Sequence, residues 1–317
     1  MRSFRVIGVV VALGLGASVL AIVGLSRHRE PSRVVRSVAL SADSRWLASG
    51  SVNGHVRILD LRDPLVPARV LEFPGNLNDL RFSPDSNYLA VANRNIAIVP
   101  ISGGGGVRVV RKDEANYGAV RFSPDGRSIL TINGKGAVQI IDRATASVRT
   151  LYCCSSIWGD VDFSADGHRI VWAGHWPSVW DLRSASLEGR LTASREEMTF
   201  GPVGIGDAIY MGSQDGRVHR WDLETRRAIG KSPPLSGYVR SVALLGASGW
   251  VAYSATGGPV HLWNPATGAA RIVEAARASS NLVFDALGDR VVFGTAAGNV
   301  EFWDLLQGRL LAKAPVE

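Results

Sequence analysis

Residues 81–92 read RFSPDSNYLAVA, and forty residues later residues 121–132 read RFSPDGRSILTI. Weaker copies flank this pair, since LSADSRWLASG begins at Leu40 and FSADGHRIVWAG begins at Phe163. More degraded versions lie near Gly204, Leu245 and Asp285. Self-similarity at a period of about forty residues indicates a repeat architecture and must be considered before any other fold.

A second marker follows each copy of the first by about eighteen residues. It is a dipeptide at the end of a predicted strand: Leu59-Asp60, Val99-Pro100, Ile141-Asp142, Trp180-Asp181, Trp221-Asp222, Trp263-Asn264 and Trp303-Asp304. The second members are separated by 40, 42, 39, 41, 42 and 40 residues, so seven units fill the chain from about residue 34. One such unit cannot bury its own apolar face, and seven units therefore predict one cooperative body.

The third unit, residues 116–156, shows the predicted structure of each repeat. Its runs GAVRFS and SILTIN are joined by Ser123-Pro124-Asp125-Gly126, a type I turn sequence, and AVQIID and VRTLYC supply two more strands. Elsewhere the turn between the second and third strands carries pairs that tolerate positive φ: Asn53-Gly54, Asp215-Gly216, Gly257-Gly258 and Gly298-Asn299. No helical pattern follows residue 33. The sequence thus predicts an all-β, seven-bladed β-propeller of four-stranded antiparallel blades.

These turns, the Trp-Asp strand ends and the period together resemble the WD-repeat propellers over about ninety per cent of the chain. The resemblance implies that the repeated Trp and Asp pack and cap the blades. It also implies a hydrogen-bonded set of His, strand Ser or Thr, turn Asp and Trp, but the usual Gly-His opening is absent and fragments such as Ser213, Asp215 and Trp221 remain. Similar propellers are interaction platforms or sensor regions in bacterial signalling proteins, and we expect a bacterial source.

Residues 6–25, VIGVVVALGLGASVLAIVGL, are uncharged and as a helix would span about 30 Å, the thickness of a bilayer core. A cleaved signal peptide is the alternative, since Arg2 and Arg5 precede the segment, but its apolar run exceeds the usual 7–15 residues. We therefore expect a short tail at residues 1–5, a transmembrane signal anchor at 6–25, a basic linker at 26–33 and the propeller at 34–317.

The flanking charges give two opposing indications of sidedness. Arg27, Arg29 and Arg33, with Arg36, follow the apolar segment and would favour a cytoplasmic propeller, whereas the signal-like start favours translocation. We expect an extracytoplasmic propeller on a single-pass anchor, with Arg27, Arg29 and Arg33 close to anionic lipid headgroups. The net charge of +7 is scattered without a recognised motif, so nucleic acid is not an expected partner.

Motifs for catalysis, metal binding or cofactor binding are absent, because the chain contains no HExxH, CxxC or GxSxG sequence. Two classes of function remain: a non-enzymatic platform that binds a protein or peptide, and a lactonase-like propeller hydrolase with acidic and His ligands at the central channel. The predicted starts of the innermost strands carry no carboxylate, which favours the platform: Arg36, Asn78, Gly118, Gly159, Arg240 and Ser280.

Loops that enter the innermost strands gather on one face around the channel and carry the candidate partner-binding residues. These are Tyr117, Trp158, Tyr238, Arg36 and Arg240. Aromatic residues and arginine are enriched in binding hot spots. The alternative is that the aromatic side chains fold inward and fill the space left by the missing His.

Overall fold

The computed structural model describes most of the chain after residue 34. The described residues are 35–63, 66–102, 105–112, 116–151, 160–173, 177–191, 198–205, 208–245, 248–255, 257–277, 283–284, 290–295 and 299–315. Within these ranges the regular secondary structure is entirely β-strand, and none of it is a helix long and apolar enough to cross a membrane. The predicted anchor at 6–25, the linker at 26–33 with its three arginines, and Trp158 lie outside them.

Twenty-eight strands form seven four-stranded antiparallel sheets, each built from consecutive strands. Blade 1 contains β1 Val35–Leu40, β2 Trp46–Ser51, β3 His55–Asp60 and β4 Arg69–Glu72; blade 2 contains β5 Asp79–Phe82, β6 Tyr88–Ala92, β7 Ile96–Pro100 and β8 Arg108–Arg111; blade 3 contains β9 Ala119–Phe122, β10 Ser128–Ile132, β11 Val138–Asp142 and β12 Val148–Leu151. Blade 4 contains β13 Asp160–Phe163, β14 Arg169–Ala173, β15 Ser178–Asp181 and β16 Ser186–Arg190. Blade 5 contains β17 Met198–Ile205, β18 Ala208–Ser213, β19 Val218–Asp222 and β20 Ala228–Lys231; blade 6 contains β21 Ser241–Leu245, β22 Trp250–Ser254, β23 Pro259–Trp263 and β24 Ala270–Arg277; blade 7 contains β25 Val283–Phe284, β26 Arg290–Gly294, β27 Asn299–Asp304 and β28 Arg309–Pro315. The prediction of seven four-stranded blades is confirmed.

The ring closes through the last blade, in which β28 pairs with β27 as the outer strand. Seven apolar clusters lie between successive blades, and the seventh joins blade 7 to blade 1. In that cluster Val38 and Leu47 of blade 1 pack with Val292 and Phe302 of blade 7. Each sheet therefore buries apolar side chains against its neighbours, which is the main source of stability in such a ring.

The repeated strand-end dipeptides pack and cap the blades, as predicted. Trp221 is fully buried between blades 4 and 5, and Trp263 and Trp303 are buried at the next two interfaces. The following Asp accepts hydrogen bonds from the turn that leads to the outer strand: the Asp222 carboxylate accepts from the Thr225 backbone N–H and hydroxyl at 2.7 and 2.6 Å.

Glycine is required where a turn between the second and third strands passes beneath another loop. Gly54 has φ +86°, and a Cβ there would lie 2.1 Å from the Phe73 carbonyl oxygen. Gly216 has φ +78°, and a Cβ there would lie 2.4 Å from the Leu235 carbonyl oxygen. In both blades the crossing backbone is the connection to the next blade, so the glycine sets how closely that loop approaches.

We predict that Gly54→Ala destabilises the fold by more than about 1 kcal/mol, because the methyl group adds a backbone clash to the strain of positive φ. Gly268→Ala is the matched control, since Gly268 has φ +74° but a methyl group there would meet open space, with no neighbouring atom within 4 Å. Urea unfolding of both variants separates the clash from the strain. Equal losses of unfolding free energy would contradict the prediction.

Candidate functional site

The first strand of each blade lies innermost, and consecutive first strands contact one another around the ring. On three neighbouring first strands, β5, β9 and β13, charged side chains converge at the channel. They are Asp79, Arg81, Arg121, Asp160 and Asp162. This channel cluster spans blades 2, 3 and 4 and is the largest concentration of paired charge among the described residues.

Arg121 is the centre of the channel cluster. Its guanidinium pairs with Asp79 in blade 2, lies 2.7 Å from the Asp160 carboxylate through Nη2, and lies 3.8 Å from the Asp162 carboxylate through Nε. Nη1 also donates to the Val120 carbonyl oxygen at 2.9 Å. One buried guanidinium thus joins the inner strands of three blades, which uses the planar fork of donors that distinguishes arginine from lysine.

Asp79 extends the same connection in both directions along the channel wall. Its carboxylate accepts from the Ser37 hydroxyl of blade 1 at 3.2 Å and from the Val120 backbone N–H of blade 3 at 3.3 Å. The Ser37 hydroxyl oxygen in turn accepts from the Leu80 backbone N–H at 3.2 Å. Ser37 and Asp79 occupy the same position in successive blades, so they make equivalent bonds from one blade to the next.

Burial and the neighbouring arginines act in opposite directions on the carboxyl pKa values, and their balance differs from one Asp to the next. Burial acts to raise the pKa of Asp79, but the charges of Arg81 and Arg121 outweigh it and hold the pKa below its usual value. Burial raises the pKa of Asp160, and it raises the pKa of Asp162 to about 6 because Arg121 offsets only part of the desolvation. Asp162 keeps 29% of its side chain exposed, whereas Asp160 keeps 18% and pairs more closely with Arg121.

The expectation of a channel without carboxylates is wrong. The predicted strand starts Asn78 and Gly159 each precede the first channel residue by one position, so the prediction misses Asp79 and Asp160. The signal is present in the sequence, because NDLRF and GDVDF place Asp at the same position of the repeat. The carboxylates are nevertheless bound by Arg121, and nowhere in the described ranges do three His, Cys, Asp or Glu side chains form a group able to hold a metal ion.

The candidate partner-binding residues differ in their burial. Tyr117 is fully buried between blades 2 and 3, with its hydroxyl 3.3 Å from Arg111 Nε, so its assignment to the surface is wrong and the inward-facing alternative holds for this residue. Tyr117 is buried because its side chain packs with apolar side chains of blade 2, among them Ala92 and Ile96. Trp158 lies outside the described residues.

The other three candidates lie at the surface. Tyr238 is 49% exposed, and the Arg240 Cζ atom lies 5.8 Å from the centre of its ring. Arg36, the second residue of β1, occupies the equivalent position of blade 1 and is also exposed. Blade 7 lies between blades 6 and 1, so Arg240 and Arg36 flank it at the channel mouth.

Blade 5 contains a polar set that resembles the fragment noted in the sequence. His219 on β19 stacks on Trp221 with ring centres 5.6 Å apart, and its Nε2 lies 2.9 Å from the Asp215 carboxylate. The Ser213 hydroxyl oxygen accepts from the Asp215 backbone N–H at 3.3 Å. A strand His therefore completes the set in place of the missing Gly-His residue, and this set is internal to the blade.

Arginine also connects the blades at the outer edge, which accounts for several of the basic residues that are scattered in the sequence. In four blades an outer-strand arginine donates to a carbonyl oxygen of the next blade: Arg69 to Pro100 at 2.8 Å, Arg108 to Ala144 at 2.9 Å, Arg149 to Leu182 at 2.6 Å, and Arg271 to Leu305. These arginines stabilise the ring and are not a binding stripe.

The fold defines this protein as a seven-bladed β-propeller of four-stranded blades. The family described as "WD domain, G-beta repeat" matches residues 21–60, which include β1 to β3 and the end of the apolar segment predicted to be an anchor. The family model thus matches one of the seven repeat units, and the other six units are defined by the sequence period and the strand topology.

Three relatives are similar to part of the chain. The "Uncharacterized WD repeat-containing protein sll1491" of Synechocystis sp. is 24% identical over 141 residues, 44% of this chain and 40% of that protein. The "Protein LST8 homolog" of Drosophila melanogaster is 32% identical over 133 residues, 39% of this chain and 42% of that protein. The "Apoptotic protease-activating factor 1" of Homo sapiens is 30% identical over 115 residues, 34% of this chain and 9% of that protein. The chain therefore spans about two fifths or less of the length of these curated relatives.

We predict that Arg121→Met destabilises the protein by about 3–5 kcal/mol, because it removes the one guanidinium that pairs with both the buried Asp79 carboxylate and the Asp160 carboxylate. Arg127→Met is the control, since the Arg127 side chain is 84% exposed and only 4.0 Å from Asp125, and it should cost less than about 1 kcal/mol. Thermal melting of both variants provides the measurement. A melting temperature of Arg121→Met equal to that of the control would show that the channel cluster does not contribute to the stability of the fold.

We predict that the stability of Asp162→Asn relative to the parent protein is greater at pH 8 than at pH 5. The folded pKa is about 6 against an ordinary value of 3.8, so the stability that Asp162 contributes is present at low pH and is lost as the pH rises through 6. The neutral amide removes this dependence, and the unfolding free energy of the variant relative to the parent should rise by about 1.4 kcal/mol between pH 5 and pH 8.

Asp125→Asn is the control with the opposite sign. The Ser123 hydroxyl and the Arg127 backbone N–H lower the pKa of Asp125, so that variant should lose stability near neutrality and approach the parent below about pH 3.8. Urea titrations at several pH values measure both differences. A pH-independent difference for Asp162→Asn would contradict the assignment.

Proposed function

We propose that this protein is a membrane-anchored, non-enzymatic interaction platform or sensor module that binds a protein or peptide on the loop face of its propeller. We define the loop face as the side that carries the connections between blades and the turns between second and third strands. The observation that supports the proposal best is the exposed pair of Tyr238 and Arg240 at the channel mouth. An exposed aromatic beside an arginine is the composition of a binding hot spot.

The internal chemistry supports a binding function over hydrolysis. The channel carboxylates of Asp79 and Asp160 are held by Arg121, so they are engaged in joining blades. A lactonase-like site would instead direct several ligands to one open point. Similarity to WD-repeat proteins also supports the platform, because the resemblance implies rigid disks that dock other proteins on their loops.

For the anchor we propose a single transmembrane segment at residues 6–25 and an extracytoplasmic propeller. The apolar length of the segment supports the span, and the signal-like basic start supports translocation. In this arrangement Arg27, Arg29 and Arg33 lie next to the headgroups, where each basic residue contributes on the order of 1 kcal/mol on an anionic surface.

The proposal is tested by a pull-down from detergent-solubilised membranes, with the full-length chain as bait. We expect one or more proteins to be captured, and Tyr238→Ala and Arg240→Gln each to weaken capture by about 2 kcal/mol, roughly thirtyfold, with little change in melting temperature. Leu187→Ala and Arg127→Gln are matched controls, because Leu187 is 44% exposed on an outer strand and Arg127 lies on the opposite face. Capture that responds equally to all four variants would contradict a site at the channel mouth.

A further inference from the structure

Blade 5 differs from the other blades at one position of its third strand. This position directly precedes the strand-end dipeptide, and in six blades it holds an aliphatic or aromatic residue: Ile58, Ile98, Ile140, Val179, Leu262 and Phe302. In blade 5 it holds Arg220. The packing of the blades therefore does not account for an arginine at this position.

The residue that pairs with this position on the outer strand also differs in blade 5. In four blades it is the arginine that donates to a carbonyl oxygen of the next blade: Arg69, Arg108, Arg149 and Arg271. Blades 4 and 7 have Gly189 and Ala312 there, and blade 5 has Gly230. Blade 5 thus carries its arginine on the third strand and has no side chain opposite it on the outer strand.

Arg220 faces the gap between blades 5 and 6. Its partner on the neighbouring strand, Tyr210, packs in the apolar cluster between these blades, and the Arg220 Cζ atom lies 5.8 Å from the centre of the Tyr210 ring. Trp263 of blade 6 belongs to the same cluster, and a Cβ atom on Gly230 would meet only its ring, at 3.9 Å. Arg220 is partly exposed and Gly230 is exposed, so solvent reaches this gap from the outer edge.

The Arg220 side chain has hydrogen-bond donors that the fold does not use. Its Nε–H group is buried and has no hydrogen-bond partner, and the side chain forms no ion pair with a described residue. The nearby Asp222 carboxylate is held by Thr225, whose hydroxyl and backbone N–H lower the pKa of Asp222, and the charge of Arg220 adds a smaller effect. A buried donor without an acceptor is destabilising, so an acceptor that reaches it gains binding free energy.

A carboxylate is the acceptor that suits this gap best. A guanidinium donates two parallel hydrogen bonds to a carboxylate or a phosphate. Arg220 is a single cation and the ionised Asp222 carboxylate is close to it, so the gap favours one negative charge over the nearly two charges of a phosphate group.

The outer strand of blade 5 offers a surface for the chain that carries such a carboxylate. Strand β20 is the edge strand of its sheet, and all four of its residues, Ala228–Lys231, are exposed. Arg227 before the strand and Lys231 at its end are exposed as well, and the acidic residue of the preceding turn, Glu224, pairs with Arg169 of blade 4 at 3.0 Å. An edge strand can bind an extended segment through backbone hydrogen bonds, and the basic residues favour an acidic segment.

We infer that the gap between blades 5 and 6 is a second binding site, which accepts a Glu or Asp side chain from an extended acidic segment of a partner protein that lies along β20. Arg220 binds the carboxylate, and the missing side chain at Gly230 leaves the space through which the carboxylate enters. The site uses no residue of the channel mouth and no residue of the proposed anchor. Failure of either proposal therefore leaves it unaffected.

The first test supplies the carboxylate from the chain itself. Gly230→Glu places a carboxylate on the residue that pairs with Arg220, and Gly230→Gln is the matched control of the same shape without the charge. We expect Gly230→Glu to melt about 2 °C or more above Gly230→Gln, and the difference to vanish when Arg220→Met is added to both. Equal melting temperatures of the two Gly230 variants would overturn the inference.

Arg220→Met alone separates ligand binding from a role in joining the blades. We expect its melting temperature to equal or exceed that of the parent, because apolar side chains fill this position in the other blades. Arg149→Met is the control and should melt lower, since it loses the hydrogen bond to the Leu182 carbonyl oxygen at 2.6 Å. A fall in Arg220→Met as large as that in Arg149→Met would assign Arg220 to the joining of blades and overturn the inference.

The last test supplies the carboxylate from a peptide. The probe is Val-Glu-Val-Glu-Val with both ends blocked, added at millimolar concentration to the detergent-solubilised full chain, and modification of Arg220 by phenylglyoxal is followed by mass spectrometry. We expect the probe to slow this modification about threefold, whereas the matching Val-Gln-Val-Gln-Val peptide has no effect. Modification of Arg127, which is 84% exposed, should not change with either peptide.

Two further arms identify the ligand chemistry. In Gly230→Glu the probe should no longer protect Arg220, because the carboxylate of the variant already occupies the guanidinium. Inorganic phosphate at the same concentration should protect Arg220 less than the probe does. Stronger protection by phosphate would overturn the assignment to a carboxylate, and modification of Arg220 that is unaffected by the acidic peptide would overturn the site.

Discussion

The structure depends on each sheet burying both of its faces against the sheets beside it. A forty-residue meander has too little apolar area of its own, so the seven interfaces form one continuous ring of core clusters, from Leu80 at the first to Phe302 at the last. Closure is essential in such a ring, because an open end would expose one whole face. Here the seventh blade takes its outer strand, β28, from its own chain segment, and blade 1 packs against it.

Polar contacts between blades occur both at the channel and at the outer edge of the ring. At the channel, Arg121 and Asp79 join three blades, and at the outer edge arginines such as Arg149 reach carbonyl oxygens of the next blade. Both kinds of contact use a charged donor that spans a gap between sheets. These arginine contacts join neighbouring blades, whereas the polar set of His219 and Asp215 lies within one blade.

The fold could be predicted from the sequence because its signals are local and repeated. The turn residues, the strand alternation and the Trp-Asp positions recur at one period. A unit whose own signals are weak can therefore be assigned from the units on either side of it. The channel cluster was harder to predict, because an error of one residue in the predicted start of a strand changes which side chains are assigned to the channel. A strand start placed one residue early at Asn78 hides Asp79, and Tyr117 and Tyr238 look alike in sequence although only the second is exposed. Whether such a tyrosine is buried depends on how its loop packs against the neighbouring blade, and the local sequence pattern does not indicate this.

The arginines of the propeller fall into two groups, those that join neighbouring blades and those that are exposed at the surface. Arg121 and Arg69 have fixed partners inside the ring, and the cost of desolvating them is offset by those bonds. Arg36 and Arg240 have the same chemistry but remain exposed beside the channel mouth. An exposed arginine that joins no blade contributes little to stability, so its effect is on what approaches the loop face. The exposed arginines at the channel mouth, rather than the total charge of +7, are therefore the basic residues on which the proposed binding site depends.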